Sequence, residues 1–334
     1  MRSPPLITLF VFTYNQENFI RESIESALSQ DYSPLEIIIS DDNSTDHSLE
    51  IINEVVSQYK GPHQVCINTN SKNLGIGKHV NKSFTLARGE FIIFAAGDDI
   101  SLSHRVSRIV ARWELLNRKV SAIYCGAKII DEFGVHHGIL KTAFSHHISL
   151  DTVSLLNYRI KNSVHLLMGA CGSYSSNLNS AFGDLNDDLN IEDIPLTIRA
   201  SLLNGVSYID EELVLYRKNV SVWHPRKLKN ETYLNNRKRL LYLIKSRYAM
   251  EKQIYKDVKR ISANQRIVKI SFMRLVLADF NQKCVNEKKF LLGLFFRNLI
   301  KTRYWFDMLF PTIFIANPNI NFIAYKLYRF LKRD

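Results

Sequence analysis

The feature that most constrains the fold of this chain is the alternation, over its first 130 residues, of unbroken apolar runs with helix-spaced apolar positions. Ile7–Phe12 and Phe91–Ala95 are continuous apolar runs, the pattern of strands covered on both faces, and Leu35–Ser40 and Val65–Asn68 read as strands between them. Between them, apolar residues recur three or four apart, which places them on one side of a helix. The first such series is Phe19/Ile20, Ile24 and Ala27/Leu28; the second is Leu49, Ile52, Val55/Val56 and Tyr59; the third runs through Val80, Phe84 and Ala87. A fourth, Val106, Ile109/Val110, Trp113 and Leu116, leads into a strand over Ser121–Ala127. Asn15 is expected to cap the first helix and Thr45 or Asp46 the second, with Gly89 as a left-handed C-cap after the third. Strand–helix alternation predicts an α/β fold, a mostly parallel sheet with helices on both faces.

Beyond residue 128 the rhythm loosens. Ile194–Asn204 reads as a helix, and Val206–Ile209 and Leu213–Tyr216 as two short strands. After Arg226 only helical spacing persists, with Leu240/Leu241, Ile244 and Tyr248 on one stripe. At 334 residues the chain has room for about two domains, expected at 1–225 and 226–334. Charge divides at the same place: residues 1–225 hold 19 Lys and Arg against 25 Asp and Glu, whereas 226–334 hold 25 against 7. The basic region also contains two aromatic-apolar blocks, Phe290–Phe296 and Tyr304–Phe310, interrupted by Arg297, Lys301 and Arg303. Cations beside bulky apolar residues suit a lipid interface, so peripheral contact with an anionic membrane is expected; the plainer alternative is a helical subdomain packed on the core. No nucleic-acid motif accompanies the charge, and no nucleic-acid partner is expected.

No run of about 18 uncharged apolar residues predicts a spanning helix, and Leu6–Phe12 is too short for a secretory signal. The four cysteines, Cys66, Cys125, Cys171 and Cys284, lie far apart without a C-x-x-C pair, which points to a reducing, cytoplasmic setting.

Ligands of open parallel sheets bind at the carboxyl ends of the strands. Three such ends carry polar residues here: Thr13-Tyr14-Asn15, Asp41-Asp42-Asn43-Ser44-Thr45-Asp46, and Gly97-Asp98-Asp99. Neighbouring carboxylates repel unless a cation or a ligand's hydrogen bonds offset them, and hard oxygens suit Mg²⁺ or Mn²⁺. Gly97 is expected to let the backbone approach a bulky ligand. Turns and helix caps are the competing reading of each segment alone. The Gly75-Ile-Gly77 pair is no dinucleotide fingerprint, since a third glycine is lacking and it does not open the first βα unit.

These segments, with Asn73-Leu74-Gly75, Arg88-Gly89-Glu90-Phe91, and Glu192-Asp193 ahead of a helix containing Arg199, make the chain resemble inverting glycosyltransferases of family 2, of the bacterial polysaccharide, O-antigen or capsule type. The likeness covers about residues 5–220. It implies the GT-A nucleotide-sugar fold and an enzyme moving a sugar from a UDP-sugar donor to a hydroxyl of a glycan or lipid-linked oligosaccharide acceptor. By the same resemblance Thr13, Tyr14, Asn15, Asp41, Asp42, Asn73 and Asp98 are expected to bind the nucleotide sugar; Lys78, after the third strand, is expected to touch its phosphate or ribose, and Arg217, after the last strand, to assist the leaving diphosphate. A carboxylate that accepts the uracil N3–H would reject cytosine, which lacks that donor. Asp99 and Asp98 are implied as metal ligands for Mn²⁺ or Mg²⁺, and His224, after the last strand, is expected to reach the metal or to close over the site. Asp193 is implied as the base that accepts the acceptor's proton, with Glu192 orienting the acceptor or a neighbouring group. The backbone of Met168–Gly172 is expected near acceptor or sugar. The setting implied is the cytoplasmic side, peripheral on the inner face of the plasma membrane. One position departs from the family pattern: Ala96 stands where its first acidic residue usually lies, and a non-catalytic nucleotide-sugar-binding or glycan-binding protein is the alternative this leaves open.

Overall fold

The computed structural model describes residues 3–140, 151–161, 167–218 and 233–286. The chain divides into two compact units, Met1–His224 and Pro225–Asp334.

Among the described residues, the first unit is built on one nine-stranded sheet. Its strands are β1 (Ile7–Thr13), β2 (Leu35–Asp41), β3 (Gln64–Thr69), β4 (Phe91–Ala96), β5 (Ile100–Ser101), β6 (Ala122–Ile130), β7 (His136–Ile139), β8 (Gly172–Ser175) and β9 (Val206–Arg217). They lie in the order β3-β2-β1-β4-β8-β6-β9-β5, with β7 paired to β6. The first four neighbours are parallel. Past β4 the sheet is mixed: β8 runs antiparallel to both β4 and β6, while β9 is parallel to β6. The parallel part coincides with the stretch where strand and helix alternate strictly, because a parallel pair needs a crossover long enough for a helix.

β1 and β2 are buried at every residue, β2 including Glu36, Ser40 and Asp41; β3, at the sheet edge, is half exposed. One face of the sheet (Ile7, Leu9, Val11, Ile37, Ile39, Ile93) packs on α1 (Ile20–Leu28), α2 (Ser48–Gln58) and α4 (Arg105–Leu115) through Ile24, Ile52, Ile109 and Trp113. The other face carries an aromatic cluster. There Phe12 meets Phe94 with ring centroids 4.9 Å apart, and Phe94 meets Tyr174 at 4.9 Å. His79 and Phe84 of α3 (Ile76–Leu86) lie edge-on to Phe12 and Phe94. The remaining helices of this unit are α5 (Thr152–Lys161), α6 (Asn177–Phe182) and α7 (Asp193–Leu203).

Four local expectations are corrected. Asn15 does not cap α1; it takes φ 50° and its side-chain oxygen accepts the Thr45 N–H at 2.8 Å, joining the loops after β1 and β2. Gly89 is no helix cap, since α3 ends at Leu86 and a side chain at residue 89 would collide with the Thr8 backbone of β1. The space a side chain at Gly97 would need is filled by Gln16, Thr13 and Ile20, so this glycine admits protein atoms, not a ligand. The two strands expected over 206–216 are one, β9, because two register shifts against β6 at Cys125–Ala127 absorb Asp210-Glu211 and then Leu213 without breaking the ladder. Asp46 does serve the start of α2, its Oδ1 accepting the Ser48 N–H at 3.0 Å.

In the second unit, α8 (Tyr233–Ile261) and α9 (Gln265–Asn286) pack on each other. Ala249, Met250, Ile254 and Val258 are buried on α8, and Ile267, Ala278 and Phe280 on α9. A buried two-point ion pair, Arg274 to Glu251 at 2.5 and 3.0 Å, joins the helices. Among the described residues no helix is long and apolar enough to cross a membrane. The blocks at 290–296 and 304–310, with Arg297, Lys301 and Arg303, lie outside the described residues, as does His224.

Candidate active site

The carboxyl end of β4 runs through Gly97 into Asp98-Asp99, and α7 begins at Asp193 directly after Glu192. Both acidic pairs line one cleft, together with Phe12, Phe94, Ala96, Met168, Gly169 and Tyr216. Four carboxyl groups far apart in the chain thus face a shared opening beside the end of the parallel sheet.

The two pairs are held in different ways. Asp98 and Asp99 are 7% and 5% exposed. Burial pushes the Asp98 carboxyl up to about 6, against the pull of its own backbone N–H, the Arg217 charge and the Gln16 side chain. Burial, and then the Asp98 charge, push Asp99 well above the usual carboxylate range. Asp99 Oδ1 accepts the Arg217 N–H at 2.8 Å, while its Oδ2 is buried without a hydrogen-bond partner. An orphaned hard oxygen beside a second carboxylate fits a divalent cation. Among the described residues no group of three or more acidic, histidine or cysteine ligands gathers, so the remaining positions would fall to water and ligand oxygens.

Glu192 and Asp193 stand at the cleft wall. Burial, then the Asp193 charge, push Glu192 up to about 8. Gly169 lies opposite it, and a side chain there would displace the Glu192 carboxylate from its present position. Asp193 Oδ1 accepts the Ile194 N–H at 2.7 Å, and the carboxylate sits at the N-terminus of α7, where a negative charge is favoured. Behind it runs a chain of buried hydroxyls: Tyr174 OH to Tyr124 OH at 2.7 Å, Tyr124 OH to Thr197 Oγ1 at 2.7 Å, and Thr197 Oγ1 donating to the Asp193 carbonyl at 2.6 Å. All three side chains are fully buried.

Other residues expected at the site have different surroundings. Asp41 and Asp42 are fully buried. Asp41 accepts both the N–H and the hydroxyl of Ser44. Asp42 accepts from Asn70 Nδ2 at 2.9 Å, the Leu74 N–H at 2.8 Å and the Gly75 N–H at 3.0 Å, and so shapes the loop that carries Asn73. Because β1 separates β2 from β4, these acids share a sheet edge with Asp98 at about two strand spacings, ~10 Å. They do not line the cleft. Thr13 is enclosed against Gly97, and Tyr14 and Asn15 are half-buried in the loop after β1. Asn73 is exposed, its side-chain oxygen accepting the Gly75 N–H at 3.0 Å. Lys78 pairs with Asp187 at 3.0 Å.

Arg217 departs furthest from its expected role on a diphosphate. It is 2% exposed and lies over the Phe19 ring. Its guanidinium donates to Asp98 O, Asp131 O, Glu132 O and Glu22 Oε2 at 3.0, 3.0, 3.2 and 2.6 Å. It therefore fastens the β4 end to β9 and the β6–β7 turn. Arg105, which sequence reasoning passed over, has a similar task. Fully buried, it donates to Phe94 O at 2.7 Å, Ala170 O at 2.8 Å and Ser101 Oγ at 2.9 Å, tying β4 to the short turn at Gly169–Cys171. Its signal was present: Arg105, Ile109 and Trp113 share the inward face of α4.

Comparison with known proteins agrees with this arrangement. The family model for glycosyl transferase family 2 matches residues 8–181, and the chain belongs to that family. Curated relatives include a putative glycosyltransferase EpsE of Bacillus subtilis, 35% identical over 135 residues, 40% of this chain and 48% of that protein. Another is the Escherichia coli UDP-Glc:alpha-D-GlcNAc-diphosphoundecaprenol beta-1,3-glucosyltransferase WfaP, 35% identical over 102 residues, 30% of this chain and 39% of that protein. The chain thus spans less than half the length of these relatives. Among solved structures, S. aureus TarS 1-349 in complex with UDP-GlcNAc superposes with a TM-score of 0.55 at 16% identity, covering 97% of this chain and 91% of that one. The mannosyltransferase PcManGT from Pyrobaculum calidifontis, in complex with GDP-Man and Mn²⁺, gives 0.52 at 15%, covering 99% and 88%. At such identity these likenesses establish the shared GT-A fold.

Proposed function

We propose that the protein is an inverting glycosyltransferase that moves a sugar from a UDP-sugar to a hydroxyl of a glycan acceptor, lipid-linked, in cell-surface polysaccharide synthesis at the inner face of the plasma membrane. The observation that carries the reading is the single cleft in which Asp98-Asp99 and Glu192-Asp193 meet. In this scheme Asp193 accepts the acceptor's proton as that oxygen bonds to the sugar's anomeric carbon and the bond to the diphosphate breaks. A hydroxyl is a weak nucleophile until its proton is taken, so a carboxylate there is what the reaction requires. Glu192, protonated into the neutral range, donates a hydrogen bond to acceptor or sugar rather than adding a second negative charge. Asp99, with its unmatched Oδ2, and Asp98 would hold Mn²⁺ or Mg²⁺. When bound, that cation would offset negative charge on the departing diphosphate. The UDP preference draws on the resemblance at Asp41 and Asp42 and on the substrate in the name of WfaP; that name also supports a lipid-linked acceptor.

The test is a panel of nucleotide sugars assayed for nucleoside diphosphate release with and without Mn²⁺. One UDP-sugar should be turned over with inversion and the others poorly. Absence of both release and binding for every donor would remove the enzyme reading.

A further inference from the structure

The solvent face of α8 carries a charge pattern that the cleft does not use. Lys238, Lys245, Lys252 and Lys259 follow one another at seven-residue intervals, and each is exposed. Seven residues are nearly two helical turns, so the four ammonium groups form a line about 30 Å long. Among the described residues none of the four is in an ion pair. The two acids of α8 turn inward instead: Glu251, fully buried, meets Arg274, and Asp257, 1% exposed, meets Gln253. The outward charge of this helix is therefore of one sign. Three residues after successive lysines come Leu241, Tyr248 and Tyr255, all half-buried, forming a second line beside the first. Phe272 of α9 extends it, 43% exposed and with its ring 5.5 Å from that of Tyr255.

We propose that this face of α8 is a docking surface for an anionic lipid bilayer. A straight row of cations matches the negative potential of a flat headgroup layer. Tyrosine and phenylalanine beside lysine are the residues that settle at the boundary between headgroups and acyl chains. The Tyr255 and Phe272 rings, from α8 and α9, meet at 5.5 Å, too close to take a base between them, which argues against single-stranded nucleic acid as the occupant. The proposal narrows the membrane contact offered above to a defined face, and it does not depend on sugar transfer in the cleft.

The experiment is co-sedimentation of the full chain with phosphatidylcholine vesicles containing about 30% phosphatidylglycerol, compared with pure phosphatidylcholine. The combined variant Lys245→Glu, Lys252→Glu, Lys259→Glu is compared with a control that reverses three exposed lysines of the first unit, Lys60, Lys72 and Lys119. The wild type and the control should partition to the anionic vesicles, and the α8 variant should bind at least about tenfold more weakly. If the Glu variant fails to fold, the corresponding Gln variant replaces it, with a smaller loss expected, still at least about tenfold. Equal partition to both vesicle types, or undiminished binding by a folded α8 variant, would overturn the proposal. So would tighter binding to a single-stranded oligonucleotide that the α8 substitutions abolish.

Discussion

At the scale of single residues, the proposed reaction gives two adjacent acids, Glu192 and Asp193, different tasks. Burial and the neighbouring Asp193 charge raise Glu192 to about 8, so it keeps its proton at neutral pH and loses it as the pH rises through that value. A donor that must be protonated makes turnover fall on the alkaline side. Glu192→Gln, which cannot lose a proton, is expected to flatten that limb of the pH–rate profile; an unchanged limb would take the role from Glu192. Arg105 presents a different case, a buried cation satisfied mainly by carbonyl oxygens. Arg105→Met would leave Phe94 O and Ala170 O unmatched, and should cost about 2–4 kcal/mol in urea unfolding. A loss below about 0.5 kcal/mol would show that other groups can serve those carbonyls. The acids at 98–99 were legible in the sequence because adjacent carboxylates at a strand end stand out, whereas those at 192–193, which read locally as helix-capping acids, were singled out only by the family resemblance. Arg105 was harder to read, since a cation on a helix face usually means solvent and only its spacing with Ile109 and Trp113 says otherwise.

At the scale of elements, α7 delivers the acidic pair to the cleft, and its first turn is pinned from below by hydroxyls. Thr197 donates to the Asp193 carbonyl, so Tyr124 must donate to Thr197. Thr197→Val keeps the shape but removes both bonds. It is expected to lower kcat about tenfold with little change in the donor KM, and Thr197→Ser should restore most of the loss. A variant that changes only melting temperature would reduce the chain of hydroxyls to a stabilising role. The four parallel strands could be read directly because β1, β2 and β4 are buried along nearly their whole length and each crossover is a single helix; β3, at the edge, was carried by that alternation. The mixed half was not legible: β8 inserts between β4 and β6, strands distant in sequence, and no local pattern encodes that pairing. Gly97 and Asn15 misled for a related reason. Their residue types announce an unusual backbone or a close approach, but not whether the approaching atoms are protein or ligand.

At the scale of the whole molecule, the chain joins an acidic unit bearing the cleft to a strongly basic one. A donor that binds only the folded chain must raise its melting temperature, by an increment that grows with donor concentration. Under the proposed function one UDP-sugar should give the largest rise, and Asp99→Asn, which removes the buried Oδ2 carboxylate oxygen from the cleft, should diminish it. An equal rise with every nucleotide sugar would argue against a specific donor pocket. The most direct test of the central claim is the turnover of Asp193→Asn at saturating donor, measured beside its donor affinity. The account predicts that turnover falls at least about a hundredfold while the donor-induced melting shift stays that of the wild type. Turnover within a few-fold of the wild type would contradict it.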